Sequence, residues 1–303
     1  MKYVEKHPMS LLLLGILGIS VSAIFVRYSD APSAVTAAYR MLWAVLLLTP
    51  AVFGRPALRQ ELLHVGRKAL LLSIASGVFL AAHFVLWFES LQHTSVASST
   101  TIVCTEVIWV SLGYCLFLKG KLSGKAALAI AVALVGSVLI AWSDSGSGAH
   151  LYGVILAWLA AVATALYTLI GQVLRRSLST TVYTYLVYSS CGIVLLLTCA
   201  VQGHDLFGFG PSAALVGLAL AVLSTIMGHS IFSWALKYFS PSFVSACKLC
   251  EPAVAAVLAA FLFAEIPAAL QLVGGVFFYS RIEAATGAGL AFAHRAAPLC
   301  PIL

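Results

Sequence analysis

Long, nearly uninterrupted runs of apolar residues dominate this sequence. A helix needs roughly 20 such residues to cross a hydrocarbon core about 30 Å thick, and ten stretches of the chain approach this length. Charged residues make up 9% of the chain, whereas a soluble domain typically carries about 25%. With so little charge the chain cannot cover a soluble surface. We therefore predict an integral membrane protein and exclude a soluble, disordered or disulfide-stapled one.

The apolar stretches predict helices, because they are rich in Leu, Ala and Val and lack the alternating pattern of membrane β-strands. We predict an all-α membrane fold with ten transmembrane helices. Their approximate bounds are 9–26, 34–53, 69–88, 95–118, 126–142, 151–173, 181–201, 212–236, 242–263 and 268–285. The first stretch also resembles a signal peptide, with Lys2 and Lys6 before a leucine run. Cleavage there is an alternative, although the repeat described below requires this helix.

Lys and Arg residues are distributed unevenly between the two sides that ten alternating spans create. Fourteen of the 17 fall on the side of the N terminus, Arg27 falls on the other side, and Arg40 and Lys248 lie within spans. Because Lys and Arg are enriched in short cytoplasmic loops, both termini are predicted to be cytoplasmic. The net charge of +7 therefore reflects orientation in a membrane, and we expect no nucleic-acid partner.

The two halves of the chain resemble each other at a nearly constant offset. Leu91 precedes Glu106 by the same interval of 15 residues that separates Leu236 from Glu251. Each half holds five predicted spans, and an odd number makes the second half enter the membrane from the opposite side. We predict two inverted five-helix repeats, at 9–143 and 150–285, and a tail at 286–303 of unassigned structure. Many secondary transporters have such repeats, with the binding site between them near the midplane.

Several short motifs are similar to those of a known transporter family. They are SAIFVR at 22–27, APS at 31–33, YRM at 39–41, WFESL at 87–91, TSVASS at 94–99, GH at 228–229, WAL at 234–236, EP at 251–252 and QLVGG at 271–275. Together they resemble the EamA-type members of the drug/metabolite transporter superfamily. The resemblance covers residues 10 to 279 and implies a ten-helix carrier of the bacterial inner membrane. Such a carrier moves small metabolites, amino acids or drugs, often outward.

The chain departs from this family pattern at two places that bear on the prediction. Val107 stands where the first repeat usually resembles the Glu251–Pro252 pair. After Tyr279 the sequence no longer resembles the family. Whether that segment inserts as a normal tenth helix is therefore left open.

Two carboxylates fall close to the middle of predicted spans. An ionisable group at the centre of a membrane helix costs about 2.5–3.5 kcal/mol on insertion scales, so it should face a partner or a watery cavity. Glu106 and Glu251 occupy such positions and are related by the repeat. They are candidates to bind a cationic group of the solute or to exchange a proton. The alternative is a pair of structural hydrogen-bonding groups.

Lys248 precedes Glu251 by three residues, so the two are expected to share a helix face and to pair. That pair would leave Glu106 as the better proton or cation site. Alternatively, Lys248 offers an ammonium group to a carboxylate of the solute. Pro252 has no N–H, so the Lys248 carbonyl loses its usual partner and a helix kink is predicted.

Two histidines could sense or carry protons, because histidine titrates near neutral pH. His83 lies one helical turn before Trp87, and His229 occupies the corresponding position in the second half. A neutral histidine that joins two helices is the alternative for both. Trp87 and Trp234 are expected to wall the cavity, or else to anchor the lipid interface.

Two further side chains are expected near the carboxylates. Trp109 lies three residues after Glu106, on the same helix face, and is the better tryptophan to line the cavity. Arg40 lies inside the second span. It is expected either to reach a carboxylate or to extend its charged end outward to the membrane surface.

No phosphate-binding loop, zinc-protease motif or nucleophile elbow is present in the sequence. We therefore predict no catalytic residue, metal site or cofactor, and no enzyme activity.

The predicted function is a secondary carrier of small, amino-acid-like solutes that works by alternating access and exports them. Import or facilitated exchange of the same solutes is the alternative, and a membrane-embedded enzyme is a more distant one. The expected partners are the solute and the lipid bilayer, with protons as a candidate coupling ion. The oligomeric state is not predicted.

Overall fold

The structure is a computed structural model that describes residues 8–122 and 148–264 and the single positions 124, 127, 128, 131 and 135. Every regular element within the described ranges is helical. Most of the predicted fifth span, the whole predicted tenth span and the tail at 286–303 lie outside the described residues.

Eight helical stretches of the described chain are long and apolar enough to cross a membrane. They are Ser10–Arg27, Ser33–Phe53, Arg67–His93, Val96–Phe117, His150–Leu174, Thr180–Val201, Gly210–Ala235 and Pro241–Phe263. These bounds match eight of the ten predicted spans to within two residues, except that the third span ends five residues later than expected. The chain is therefore a multi-pass membrane protein.

Some of these stretches are single helices and others are built from shorter pieces. In chain order the helices are α1 (Pro8–Ser20), α2 (Ser22–Arg27), α3 (Ser33–Phe53), α4 (Pro56–Leu63), α5 (Arg67–His93), α6 (Val96–Val103), α7 (Glu106–Phe117), α8 (Gly148–Leu174), α9 (Thr180–Val201), α10 (Gly210–Ala219), α11 (Ser230–Ala235), α12 (Pro241–Cys247) and α13 (Glu251–Phe263). A π-helical segment, Leu220–His229, joins α10 to α11, and a 3-10 turn, Lys248–Cys250, joins α12 to α13.

Local side chains account for the interruptions. At the break between α6 and α7, the hydroxyls of Thr101 and Thr105 donate to the backbone carbonyls of Ala97 and Ile102, a pattern that bends helices. In the π-helical segment, the Thr225 hydroxyl donates to the carbonyl five residues earlier. Each of these breaks falls near the middle of a span, where the backbone can turn a side chain toward the interior.

The unbroken helices form the centre of the molecule. Helix α5 packs along α8 and α9, and α9 also packs against α3. Close approach is possible at Gly77 of α5, where a Cβ atom would lie 2.7 Å from the Val187 carbonyl oxygen. Helices from the first and second halves of the chain thus share one buried core, which includes Phe84, Phe88 and Tyr188.

The broken spans pack against one another beside this centre. Helix α6 contacts α13, and α7 contacts α12. Because α6 precedes α7 and α12 precedes α13, these two spans run antiparallel. Helix α1 lies on the π-helical segment so closely that a Cβ atom on Gly18 would lie 2.5 Å from the Leu223 carbonyl oxygen. The breaks of neighbouring spans are therefore brought together.

Candidate functional site

A cavity lies where the breaks of the spans meet the central helices. It offers about 30 Å³ to the centre of a water molecule, which is room for one or two waters. Seven of the ten residues singled out from the sequence line it, and three do not. The complete lining is Ile19, Ser22, Arg40, His83, Trp87, Val103, Cys104, Glu106, Thr164, His229, Lys248 and Glu251.

A buried ion pair joins the two halves of the chain across this cavity. The Lys248 Nζ atom lies 2.8 Å from Glu106 Oε1, and the two side chains are only 8% and 4% exposed. Lys248 directly follows α12, which packs against α7, and Glu106 is the first residue of α7. The lysine therefore reaches across to the neighbouring span. The expected pair of Lys248 with Glu251 is wrong, because proximity along one helix is outweighed by this contact between spans.

Of the two buried carboxylates at the cavity, Glu251 is the one without an ion-pair partner in the described part of the chain. It is the first residue of α13 and is buried. The hydrogen-bond contact of its side chain in these residues is with the thiol of Cys104, whose Sγ atom lies 3.9 Å from Oε2. The structure thus reverses the predicted roles of the two carboxylates: Glu106 forms the ion pair, and Glu251 lines the cavity without an ion-pair partner in these residues.

Pro252 stands at the second position of α13, directly after the 3-10 turn that interrupts the span. The Lys248 carbonyl, which the sequence leaves without a helical partner, accepts a hydrogen bond from the Glu251 N–H. The Cys104 Sγ atom also lies 3.6 Å from this oxygen, so its single S–H is shared between the carbonyl and the Glu251 carboxylate. The proline therefore coincides with a tighter turn whose backbone groups are satisfied within the protein.

Arg40 of α3 is completely buried and lies against hydroxyl groups. Its Nε atom donates to Thr225 Oγ1 at 2.7 Å, and Nη1 donates to Ser22 Oγ at 3.2 Å. The guanidinium carbon lies 4.1 Å from the centroid of the Phe84 ring, a distance suited to cation–π attraction. Neither expectation for Arg40 is met in the described residues: it does not extend outward, and it forms no ion pair with a carboxylate.

The two histidines face each other across the halves, with ring centroids 6.4 Å apart. His83 Nδ1 lies 3.0 Å from the Ala160 carbonyl oxygen. Since a carbonyl only accepts, the hydrogen of neutral His83 stands on Nδ1. Trp87 stacks on the His83 ring at 5.8 Å. The His229 Nδ1 and Trp87 Nε1 atoms are buried without a hydrogen-bond partner among the described residues.

Trp109 and Trp234 lie outside the cavity lining. Trp109 meets Trp158 of α8 edge to face at 5.2 Å, so the expectation that it would line the cavity is wrong. The span breaks just before Glu106, and the following helix turns Trp109 toward α8. Trp234 packs on Tyr238, 4.8 Å away, at the end of its span.

Several polar residues of this region were not anticipated from the sequence. Ser22, Cys104 and Thr164 line the cavity, and Thr225 holds Arg40. Ser22, Thr164 and Thr225 are hydroxyl residues inside apolar stretches, which is the one feature that could have identified them. Such residues are common in membrane helices, so this feature does not single them out. Nothing in the sequence marks Cys104. Among the described residues, no group of three His, Cys, Asp or Glu side chains is arranged to hold a metal ion.

A further buried cation, in addition to Arg40 and Lys248, lies just beyond the end of α8. Arg175 is 2% exposed and donates hydrogen bonds to the Ser233 and Leu178 carbonyls and to the Thr180 hydroxyl. Burial lowers the pKa of its guanidinium below the usual value. The sequence assigns Arg175 only to the membrane orientation, because a basic residue after a span is typical of a cytoplasmic loop.

Comparisons with known proteins agree with this architecture. The model of the EamA-like transporter family matches residues 7–142 and 151–280. An uncharacterized transporter of Bacillus subtilis is 27% identical over 286 residues, covering 91% of this chain and 87% of that protein. An uncharacterized transporter of Clostridium kluyveri is 26% identical over 194 residues, and the match spans 62% of either chain, less than two thirds of that relative's length. A crystal structure superposes with a TM-score of 0.74 at 14% identity, covering 95% of this chain and 99% of the other. The latter likeness concerns the fold alone.

Proposed function

The chain belongs to the EamA-like transporter family of the drug/metabolite transporter superfamily, and we propose that it is a secondary carrier that exports small, amino-acid-like metabolites. It is a membrane transporter, as its family and its relatives in Bacillus subtilis and Clostridium kluyveri indicate. One observation carries the finer proposal. Four charged side chains, two of each sign, surround a single cavity between the spans.

Buried charges are costly in a membrane protein and mark a functional site by default. Arg40 and Glu106 come from the first half of the chain, and Lys248 and Glu251 come from the second. A bundle that only needed rigidity could replace such an ion pair by apolar side chains of similar size without loss of stability. The balanced set of charges instead suits a solute that carries charges of both signs.

The proposed architecture is ten helices in two inverted repeats, at 9–143 and 150–285, which rock about the cavity. Two observations support it: the family model matches each half separately, and the pair of broken spans that contain Glu106 and Glu251 runs antiparallel. A cavity of about 30 Å³ has room for water but not for a metabolite. The solute-bound state is therefore wider, as alternating access requires.

In this proposal the protein lies in the bacterial inner membrane with both termini in the cytoplasm. The distribution of Lys and Arg along the sequence supports that orientation. Export and the use of protons as coupling ion follow the family resemblance and the presence of titratable groups at the cavity. No catalytic group has a role in this cycle.

The test is a flux measurement in liposomes that contain the purified protein. The vesicles are loaded with a mixture of the 20 standard amino acids, simple amines and organic acids, and the solutes that leave are identified by mass spectrometry. We expect at least one solute to leave faster than from protein-free vesicles, with a rate that saturates. Equal efflux from both kinds of vesicle, with and without an imposed pH gradient, would contradict the proposal.

A further inference from the structure

We infer that Arg40 and Glu251 are the two poles of a binding site for a zwitterionic α-amino acid, with Arg40 binding the carboxylate and Glu251 the ammonium group. This inference rests on the proposed carrier function and specifies its solute. It follows from which charges around the cavity are already neutralised and which are not.

Lys248 and Glu106 neutralise each other. Their 2.8 Å contact is a charge-assisted hydrogen bond of ordinary length. With that pair formed, the cavity retains one cation, Arg40, and one anion, Glu251, neither of which has an ion-pair partner in the described residues. An isolated charge of either sign is unfavourable in such surroundings, and a ligand with both charges would relieve the two at once.

Arg40 is held so that it can receive a carboxylate. A guanidinium has five N–H donors, and the described contacts use two of them, one to Thr225 and one to Ser22. The Phe84 ring supports one face of the group. The remaining donors suit the paired oxygens of a carboxylate, the bidentate geometry at which arginine binds best.

Glu251 is available as an acceptor in the same cavity. The carboxylate contacts the Cys104 thiol at 3.9 Å, and a thiol is a weak donor. A primary ammonium group brings three N–H donors and a full charge, so it would bind this carboxylate in preference to the thiol. The position of Glu251 at the first residue of α13 fixes the carboxylate on a rigid element.

Two of the unpaired polar atoms among the described residues lie at this cavity. The His229 Nδ1 and Trp87 Nε1 atoms are buried without hydrogen-bond partners in the described residues, and both residues line the cavity. Buried polar groups in folded proteins are rarely left unpaired. The Trp87 N–H can only donate, so it suits a carboxylate oxygen.

The inference distinguishes amino acids from near relatives that carry one charge. The methyl ester of an amino acid keeps the ammonium group and loses the negative charge, so Arg40 would stay unpaired. The N-acetyl derivative keeps the carboxylate and loses the positive charge, so Glu251 would stay unpaired. Leaving one member of a buried, hydrogen-bonded charge pair without its partner typically weakens binding by roughly 30-fold or more.

The experiment first measures which of the 20 standard L-amino acids the wild-type protein transports in liposomes. The methyl ester and the N-acetyl derivative of the best one are then offered as competitors. We expect each derivative to compete roughly 30-fold or more weakly than the parent amino acid. Competition by all three at equal concentrations would overturn the inference and leave the carrier function intact. Transport of metabolites that include no amino acid would overturn it as well.

Two variants assign the poles. In Arg40→Gln the preference for the parent amino acid over its methyl ester should disappear, while the preference over the N-acetyl derivative persists. Glu251→Gln should show the reverse. Trp109→Phe, which lies outside the cavity lining, should keep both preferences. If both preferences survive in Arg40→Gln and Glu251→Gln, other side chains bind the charged groups of the amino acid, and the assignment of Arg40 and Glu251 is wrong. Failure of the wild-type protein to move any solute would instead contradict the proposed function.

Discussion

The Lys248 ammonium lies 2.8 Å from the Glu106 carboxylate, although the two residues stand 142 positions apart in the chain. Both side chains are buried, and each comes from a span that is broken next to it. The ion pair therefore fixes two interrupted helices against each other at the level of the cavity. Its energetic value can be separated from its role in transport.

Glu106→Gln should destabilise the protein, because it leaves the Lys248 ammonium buried without its counter-charge. Breaking such a pair typically costs about 3–5 kcal/mol, whereas replacing both members by uncharged side chains is often neutral. The double variant Glu106→Gln with Lys248→Met should therefore unfold at nearly the wild-type denaturant concentration in detergent, yet transport poorly. If the double variant is as unstable as the single one, the pair is not the source of the loss. We expect Glu106→Gln itself still to insert and to lose transport.

Glu251→Gln should remove the dependence of transport on pH. Glutamine has the size of a protonated carboxylic acid and cannot ionise, so a proton exchanged at this position is lost from the cycle. The other charged or titratable groups that line the same cavity are Arg40, His83, Cys104, Glu106, His229 and Lys248. The measurement is solute exchange at saturating concentration between pH 5.5 and 8.5.

The matched control for this variant is Glu89→Gln. Glu89 contacts His93 and the Ser33 hydroxyl and lies outside the cavity lining, so the wild-type pH profile should persist. An unchanged profile in Glu251→Gln would move proton exchange to another group.

Cys104 should report occupation of the cavity. It is the cysteine that lines the cavity, and its thiol lies within hydrogen-bonding distance of Glu251. Because Cys104 is buried, N-ethylmaleimide can reach its thiol only when the cavity widens during the transport cycle. The reagent should therefore inhibit the wild-type protein slowly, and a solute that occupies the cavity should slow the inhibition further. The Cys104→Ala variant should resist the reagent, whereas Cys191→Ala, which alters a buried cysteine outside the lining, should stay sensitive. Equal sensitivity of both variants would place the reactive thiol elsewhere.

Gly18→Ala should weaken the packing of α1 on the π-helical segment. The added Cβ atom would lie 2.5 Å from the Leu223 carbonyl oxygen, and backbone cannot give way as a flexible side chain can. Overpacking of this kind typically costs about 1–3 kcal/mol, which a thermal unfolding scan in detergent can resolve. Gly66→Ala is the control, because a Cβ atom there meets nothing within 4 Å. Equal Tm values for both variants would contradict the close contact.

The positions of the membrane spans could be predicted from the sequence because membrane thickness sets the length of an apolar helix. Eight predicted spans match the described helices closely. The third helix extends beyond its predicted end because the apolar run stops before Glu89, whereas the helix continues through polar residues to His93. The interruptions were harder to foresee. Pro252 is the residue that predicts a helix break from the sequence. The break before Glu106 depends instead on threonine hydroxyls that donate to nearby backbone carbonyls.

The membership of the cavity was largely predictable, and its pairing was not. Charged residues inside apolar spans stand out, so Arg40, Glu106, Lys248 and Glu251 could be identified by type alone. The partner of Lys248 depends instead on which helices pack together, and spacing along the chain favoured the wrong carboxylate. Arg40 is held by hydroxyls of α2 and the π-helical segment, which no local pattern connects to α3.

The broken span that carries Glu106 has a consequence for biogenesis. Its two pieces contain 8 and 12 residues, and neither is long enough to enter a bilayer by itself. Ribosomes add about 5–20 residues per second, so the carboxylate is synthesised roughly 7–30 s before the lysine that neutralises it, 142 residues later. During that interval the nascent span must keep its acid protonated, hydrated or sheltered by the insertion machinery. Slowing translation between the two positions should therefore lengthen the time for which this span is exposed to quality-control proteases.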